Sequence, residues 1–200
     1  MSLFIASLNS GSNGNCYYVG NNEEAILIDA GISCRETEKR LKRLELSVKK
    51  IKAVFISHEH TDHIKGLQTI SQKYNLPVYI TEGTHKASGI HLQPGFTYSF
   101  KKNKSVMIGK LSVTAFPKYH DAKDPHSFIV SCNNIRVGIF TDIGFACKDV
   151  IKNFSQCHAA FLESNYDEHM LMNGSYPLHL KNRISNGNGH LSNKQALELF

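Results

Sequence analysis

The stretch ISHEHTDHIKG, residues 56–66, carries three histidines and two acids in the six positions from His58 to His63. It follows AVFIS (53–57), a run with the β-branched and aromatic composition of a strand. His58 and His60 are two residues apart, so on an extended backbone their side chains project the same way. Asp62 and His63 stand where a helical pattern begins, and a turn there aims them at a second point beside the first. Neutral imidazole and carboxylate are ligands that zinc, manganese and iron accept. A solvated loop that happens to be rich in histidine does not account for H-x-H-x-D-H at a strand end. Glu59 and Thr61, the residues between, are read as turned away.

Outward from this stretch, short apolar runs alternate with helical spacing. LFIASL (3–8), CYYVG (16–20) and AILID (25–29) read as strands, the last two joined by a hairpin turn at Asn21-Asn22. Ser33 and Glu36 have capping-box spacing, which predicts a helix running to about Leu46 with Leu41 and Leu44 on one face. A helix is expected over Ile64 to Tyr74, a strand at VYI (78–80), and a helix start from Thr81 to Ser88. Five strand-like runs follow: TYSF, SVMI, LSVTAF, SFIVSC and IRVGIF, the last two joined at Asn133-Asn134. Ala146 to Asn153 reads as helix, AAFLES (159–164) as strand, and Leu191-Ser192 opens a helix expected to reach Phe200. With no linker or repeat, the expectation is one α/β domain over residues 1–200 with two sheets. No stop signal follows the last helical pattern, which is the expectation for a truncated C-terminus.

The chain has 200 residues, 41% hydrophobic and 20% charged, the composition of an ordinary globular protein with room for a sizeable core. No signal peptide or membrane-length apolar run is visible, which speaks against a secreted enzyme. Cys16, Cys34, Cys132, Cys147 and Cys157 are odd in number and form no C-x-x-C pair. Reduced thiols and a cytoplasmic location are therefore expected. The net charge is +6, with Lys39, Arg40, Lys42 and Arg43 clustered before Lys49, Lys50 and Lys52, and Lys101, Lys102 and Lys104 further on. Such residues form a solvated surface or attract a polyanion, and charge alone does not separate the two.

HEHTDH resembles the metal motif of the metallo-β-lactamase superfamily. The resemblance implies an αββα sandwich of two mixed β-sheets flanked by helices. It asks for an Asp after an early strand, a later His, another strand-end Asp and a His near the end. ILIDAG supplies Asp29, FPKYHDA supplies His120, GIFTDIG supplies Asp142 and NGHLSN supplies His190. Each of these alone reads as a structural or turn residue, and their order beside the cluster sets them apart. The resemblance implies two divalent ions, zinc foremost, with manganese or iron as alternatives. His58, His60 and His120 would hold one, and Asp62, His63 and His190 the other, with Asp142 bridging. Asp29 would orient a ligand histidine, and Asp62 and Asp142 are the expected catalytic carboxylates around a metal-bridging hydroxide. His85, His91, His126, His158, His169 and His179 are left to surface or structural roles, His169 and His179 being nearest to cleft-lining ones.

SLNSGSNGNCYYV further resembles the opening of the YycJ/WalJ-like branch of metal-dependent hydrolases. FPKYHDA, ESNYD (163–167), NGSYPLHLKNRIS (173–185) and GHLSN (189–193) extend that likeness over essentially the whole chain. The branch is linked with nuclease activity on DNA and its members run longer after the last His. The implied function is phosphodiester hydrolysis of DNA, as an exonuclease. Ser12 and Asn13, in a loop able to show backbone N–H groups to an anion, are candidate substrate-binding residues. So are Asn165, with Tyr166 and Asp167 beside it, and Lys181 and Arg183, which could reach a phosphate. A thioester hydrolase of the glyoxalase II kind is the alternative enzyme, and a regulatory binding module the alternative from another class. The complete ligand set argues against the module. Oligomeric state leaves no signal in the sequence.

Overall fold

A computed structural model describes residues 3–200. Strands β1 (Phe4–Asn9), β2 (Cys16–Gly20) and β3 (Ala25–Ile28) form an antiparallel meander. β4 (Ile51–Phe55), β5 (Val78–Tyr79) and β6 (Thr97–Tyr98) extend it in parallel, giving one sheet of order β1-β2-β3-β4-β5-β6. β7 (Ser105–Ile108), β8 (Leu111–Pro117), β9 (His126–Cys132) and β10 (Ile135–Phe140) make the second meander. β11 (Ala159–Leu162) pairs parallel with β10 and closes the order β11-β10-β9-β8-β7.

Parallel neighbours require crossovers, and helices supply them. α1 (Cys34–Arg43) links β3 to β4. α2 (Thr61–Ile64) and α3 (Leu67–Tyr74) link β4 to β5, α4 (Glu82–Ser88) links β5 to β6, and α5 (Lys148–Phe154) links β10 to β11. α6 (Glu168–Asn173), α7 (Leu178–Ser185) and α8 (Asn193–Leu197) follow.

Burial explains the strand patterns. All of CYYVG is buried, which is why that strand is apolar on both faces, whereas β8 alternates with Leu111, Val113 and Ala115 inward. Ile26, Ile28 and Phe55 of the first sheet meet Val113, Phe128, Val130 and Ile139 of the second, forming the central layer. Leu27, Val54 and Ile56 face outward onto Leu41, Leu67 and Ile70 of α1 and α3. Val150 of α5 packs on Phe116, Ile129 and Phe140 across the opposite face. The result is the expected helix–sheet–sheet–helix sandwich.

Some element boundaries differ from the expected ones. α1 stops at Arg43 because Glu45 takes a positive φ of 56°. Ser33 accepts from Glu36 N, but the Glu36 carboxylate pairs with Arg40, so the cap is not reciprocal. The 64–74 segment is broken at Gly66, whose N–H donates to Ala30 O at 2.8 Å instead of continuing one helix. α8 has the full capping box, Ser192 with Gln195, but ends at Leu197.

Candidate metal centre

Five strand ends meet at one edge of the sandwich. Asp29 follows β3, the stretch from Ser57 to His63 follows β4, Lys118 and His120 follow β8, Asp142 follows β10, and Glu163 follows β11. Three groups of side chains there are spaced to share a cation: His58 with His60 and His120, His58 with His63 and Asp142, and Asp142 with Glu163 and His190.

The first group is defined by what its outer nitrogens do. His60 Nε2 lies 3.2 Å from Asp121 O, and His120 Nδ1 lies 2.9 Å from Gly189 O. A carbonyl accepts, so both nitrogens carry hydrogen. Ser57 Oγ donates to Asp29 Oδ2 at 2.8 Å and so accepts from His58 Nδ1 at 2.9 Å. The three remaining nitrogens, His58 Nε2, His60 Nδ1 and His120 Nε2, then face one another as lone pairs at 3.2 and 3.3 Å. Burial, aided by His63 and Lys118, holds His58 well below the usual histidine range, and burial with Lys118 lowers His120 to about 4. Imidazole nitrogens converging at this spacing, with His58 and His120 held toward the neutral form, are what a cation satisfies.

The second group centres on His63, which is completely buried. Its Nδ1 contacts Asp29 Oδ2 at 2.7 Å, and its Nε2 contacts Asp142 Oδ2. Burial opposes charge here, yet Asp142 and Asp29 raise His63 well above the ordinary histidine range. Asp142 is correspondingly held low against its burial, first by His63 and then by Lys118. Asp62 Oδ2 lies 3.5 Å from His63 Nε2, and Asn15 Nδ2 reaches Asp62 Oδ2 at 3.2 Å. Asp29 also accepts from Ser57 N at 2.8 Å, which ties β3 to the histidine stretch. Asp29 and Asp142 have φ values of 61° and 49°, a left-handed conformation that Asp adopts more readily than most residues.

Two outcomes follow for metal loading. A cation entering beside His63 must displace its proton, so apparent affinity rises with pH and falls as the pH drops. Calorimetry in buffers of different ionisation enthalpy should register about one proton released for that ion. Replacing Asp29 by asparagine frees His63 to rotate and should weaken metal binding roughly 10–100-fold in a chelator competition.

His190 joins the third group. Its Nδ1 contacts Glu163 Oε1 at 2.6 Å and lies 3.5 Å from Asp142 Oδ1. Glu163 Oε2 accepts from Ile143 N at 2.6 Å and Leu191 N at 3.2 Å, fixing the carboxylate. Against the effect of burial, that contact raises His190 above the usual range. The structure thus brings His190 to Asp142 and Glu163 and leaves it outside the group formed by His58, His63 and Asp142.

A cavity of about 720 Å³ opens over these groups, bordered by His60, Asp62, His120, Asp142 and His190. Ser12, Asn165 and Arg183 also line it. Asn13 and Lys181 do not. Asn13 points to solvent on the loop's outer side, and Lys181 donates to Met172 O at 2.7 Å. Lys181 and Arg183 are two apart on α7 and so lie on different faces. Arg183 turns inward to Asp121 at 2.6 Å. In the 10–15 loop, Asn15 N donates to Asp62 O at 2.6 Å, Gly14 N to Gly11 O at 2.9 Å and Gly11 N to Asn15 Oδ1 at 3.2 Å. His169 and His179 are exposed and border neither this cavity nor the depression beside it. Glu59 is turned away from the cluster and accepts from Lys123 N at 2.7 Å.

Four contributors escaped the sequence reading: Asn15, Ser57, Lys118 and Glu163. Lys118 is buried with Nζ donating to Thr141 O at 2.5 Å, and burial lowers its pKa while Asp142 and Asp29 oppose that. Glu163, last but one in AAFLES, had the best signal, an acid at a strand end like Asp142.

The β-lactamase superfamily domain model matches residues 24–200. The chain is 38% identical to the exodeoxyribonuclease YycJ of Bacillus anthracis, over 98% of this chain and 75% of that protein. It is 30% identical to the exodeoxyribonuclease WalJ of Streptococcus pneumoniae, over 96% and 73%. Among solved structures, the metallo-β-lactamase fold protein YhfI from Bacillus subtilis superposes with a TM-score of 0.74 at 15% identity, covering 100% of this chain and 81% of the other. Among the described residues, no helix is long and apolar enough to cross a membrane. Fold, residue pattern and relatives agree: the chain belongs to the metallo-β-lactamase superfamily, beside the YycJ and WalJ proteins.

Proposed function

We propose that this protein is a metal-dependent phosphodiesterase that degrades DNA from an end. The observation that carries the reading is the set of three imidazole lone pairs converging beside the Asp142–His63 pair at the floor of an open, polar cavity. The exodeoxyribonuclease relatives, matched over nearly the whole chain, support DNA as the substrate.

In this reading His58, His60 and His120 would hold one divalent ion. Asp62 and His63 would hold a second, with Asp142 within reach of both sets of donors. Nitrogen and carboxylate donors without thiolate suit zinc first, and manganese or iron as well. Bound there, such ions supply Lewis acidity toward a phosphodiester oxygen and a water made nucleophilic near neutral pH. The remaining work belongs to the protein. Asp29 and Ser57 keep His63 and His58 in one tautomer and orientation. Arg183, Ser12 and Asn165 line the cavity and position the phosphate and its sugar.

His190 stands on the Asp142 side of the centre, its Nδ1 held by Glu163 as Asp29 holds the Nδ1 of His63. That contact raises the pKa of His190, which favours the protonated ring as a proton donor to the departing oxygen. An acid must be protonated to act, so activity falls as pH rises through its pKa. Glu163→Gln removes the contact that raises that pKa and should move the alkaline limb of the kcat profile to lower pH, as a stopped assay across the pH range will show.

Free thiols at all five cysteines fit a reducing, cytoplasmic setting. Metal analysis combined with cleavage of end-labelled single- and double-stranded DNA and RNA tests the function. Release of labelled mononucleotides from DNA in a metal-dependent manner is expected. Turnover of a glutathione thioester with no action on DNA would favour the thioester alternative.

A further inference from the structure

Beside the cavity over the metal ligands lies a second depression of about 500 Å³. The two share Ser164 and Asn165, so they open into one another across this pair. The walls of the second are made by Tyr166, Met170, Tyr176 and Asn193. Met170 and Tyr176 are 73% and 55% exposed, large apolar surfaces held out to water.

The backbone that carries Tyr166, Met170 and Asn193 is nevertheless held in place. Asp167 caps α6 by accepting from Met170 N at 2.9 Å. Asn193 N donates to Tyr166 O at 2.8 Å, and Ser164 Oγ donates to Asn193 Oδ1 at 2.7 Å. The depression is therefore a built surface at the N-terminal ends of α6 and α8.

Its chemistry differs from that of the first cavity. Among the described residues no Lys or Arg lines it, and Asp167 does, so a phosphate is not its natural occupant. Phenol rings and a thioether offer flat, polarisable faces, while the Asn165 and Asn193 amides can donate and accept at an edge. A flat, uncharged heterocycle with polar edges matches that combination.

We propose that this depression receives the nucleobase of the nucleotide adjoining the scissile phosphodiester. The proposal rests on the phosphodiesterase reading and deepens it. A base reaches such a pocket after leaving its stack and its pair, so the substrate is held as a single strand at this point. Stacking tolerates any base, because each has a π face, and little sequence preference is expected.

The test uses the metal-loaded full chain and two single-stranded oligonucleotides that differ by one base-less sugar at the terminal nucleotide. Losing the base should lower kcat/KM roughly 5–100-fold in the wild type, the size of a lost base–aromatic stack. That penalty should largely vanish in Tyr176→Ala and in Met170→Ala, and persist in Tyr176→Phe, which keeps the ring. Both positions are more than half exposed, so these truncations leave the core intact. Equal penalties in wild type and Tyr176→Ala, or none in the wild type, would overturn the assignment while DNA cleavage itself stands. A wild type that cleaves neither DNA nor bis(p-nitrophenyl) phosphate overturns the phosphodiesterase reading, and the pocket with it.

Discussion

Replacing Asp142 by alanine should lower DNA hydrolysis by at least roughly 10²–10³-fold, the loss that follows removal of one preorganised electrostatic group. It should also deplete the protein of metal. The reason is position. Asp142 Oδ2 contacts His63 Nε2 and lies 3.4 Å from His58 Nε2, while Oδ1 lies 3.5 Å from His190 Nδ1. One carboxylate therefore stands in two of the three candidate groups. Its removal also leaves Lys118 and His63 buried with one fewer counter-charge. Breaking a buried pair costs about 3–5 kcal/mol at most here, because His63 can release its proton in response. Asp142→Asn separates the effects, since it keeps the shape and removes the charge. The asparagine variant should fold, bind little metal and remain inactive when assayed beside the wild type. Full activity with full metal content in either variant would refute the assignment.

Gly31→Ala is the second large effect, and it acts on stability. A methyl group at Gly31 would lie 1.6 Å from Asp62 O and 2.6 Å from Asn15 N, both backbone atoms. Those atoms are not free to move. Gly31 N donates to Asn15 O at 2.8 Å, and Asn15 N donates to Asp62 O at 2.6 Å. Three segments meet there: the turn after β3, the 10–15 loop and the histidine stretch. The methyl must push them apart, at a cost of about 3 kcal/mol or more. For a chain of this length that is a fall in Tm of roughly 6–12 °C, measurable by circular dichroism. Because Asp62 is carried by the displaced segment, metal affinity should fall as well. An unchanged Tm would show that this contact is looser than described.

Much of this centre was legible because its chemistry is written locally. H-x-H-x-D-H at a strand end names a ligand-rich turn from spacing alone, whereas Asp29, His120 and Asp142 stand out only through the order in which the superfamily resemblance asks for them. What stayed hidden depends on long-range pairing. Glu163 acts because β11 runs parallel to β10, which sets it beside Ile143 and His190. Asn15 acts because its loop folds back onto Asp62. Lys118 sits in a buried place where composition argues against a lysine, and its neighbours are carboxylates distant in sequence. Between Glu168 and Ser185, Asn, Gly, Ser and Pro punctuate the chain, and α6 and α7 were not anticipated. Without α7, the divergence of Lys181 and Arg183 could not be foreseen.

The central prediction is that divalent ions held by these residues drive the cleavage of DNA. The most direct measurement is a metal titration of chelator-stripped protein, following bound metal and release of mononucleotides from end-labelled single-stranded DNA in the same samples. The prediction is two ions per chain, with cleavage appearing as the ions load and lost again on chelation. DNA cleavage at an undiminished rate in the stripped protein, or metal binding that never confers cleavage, would contradict it.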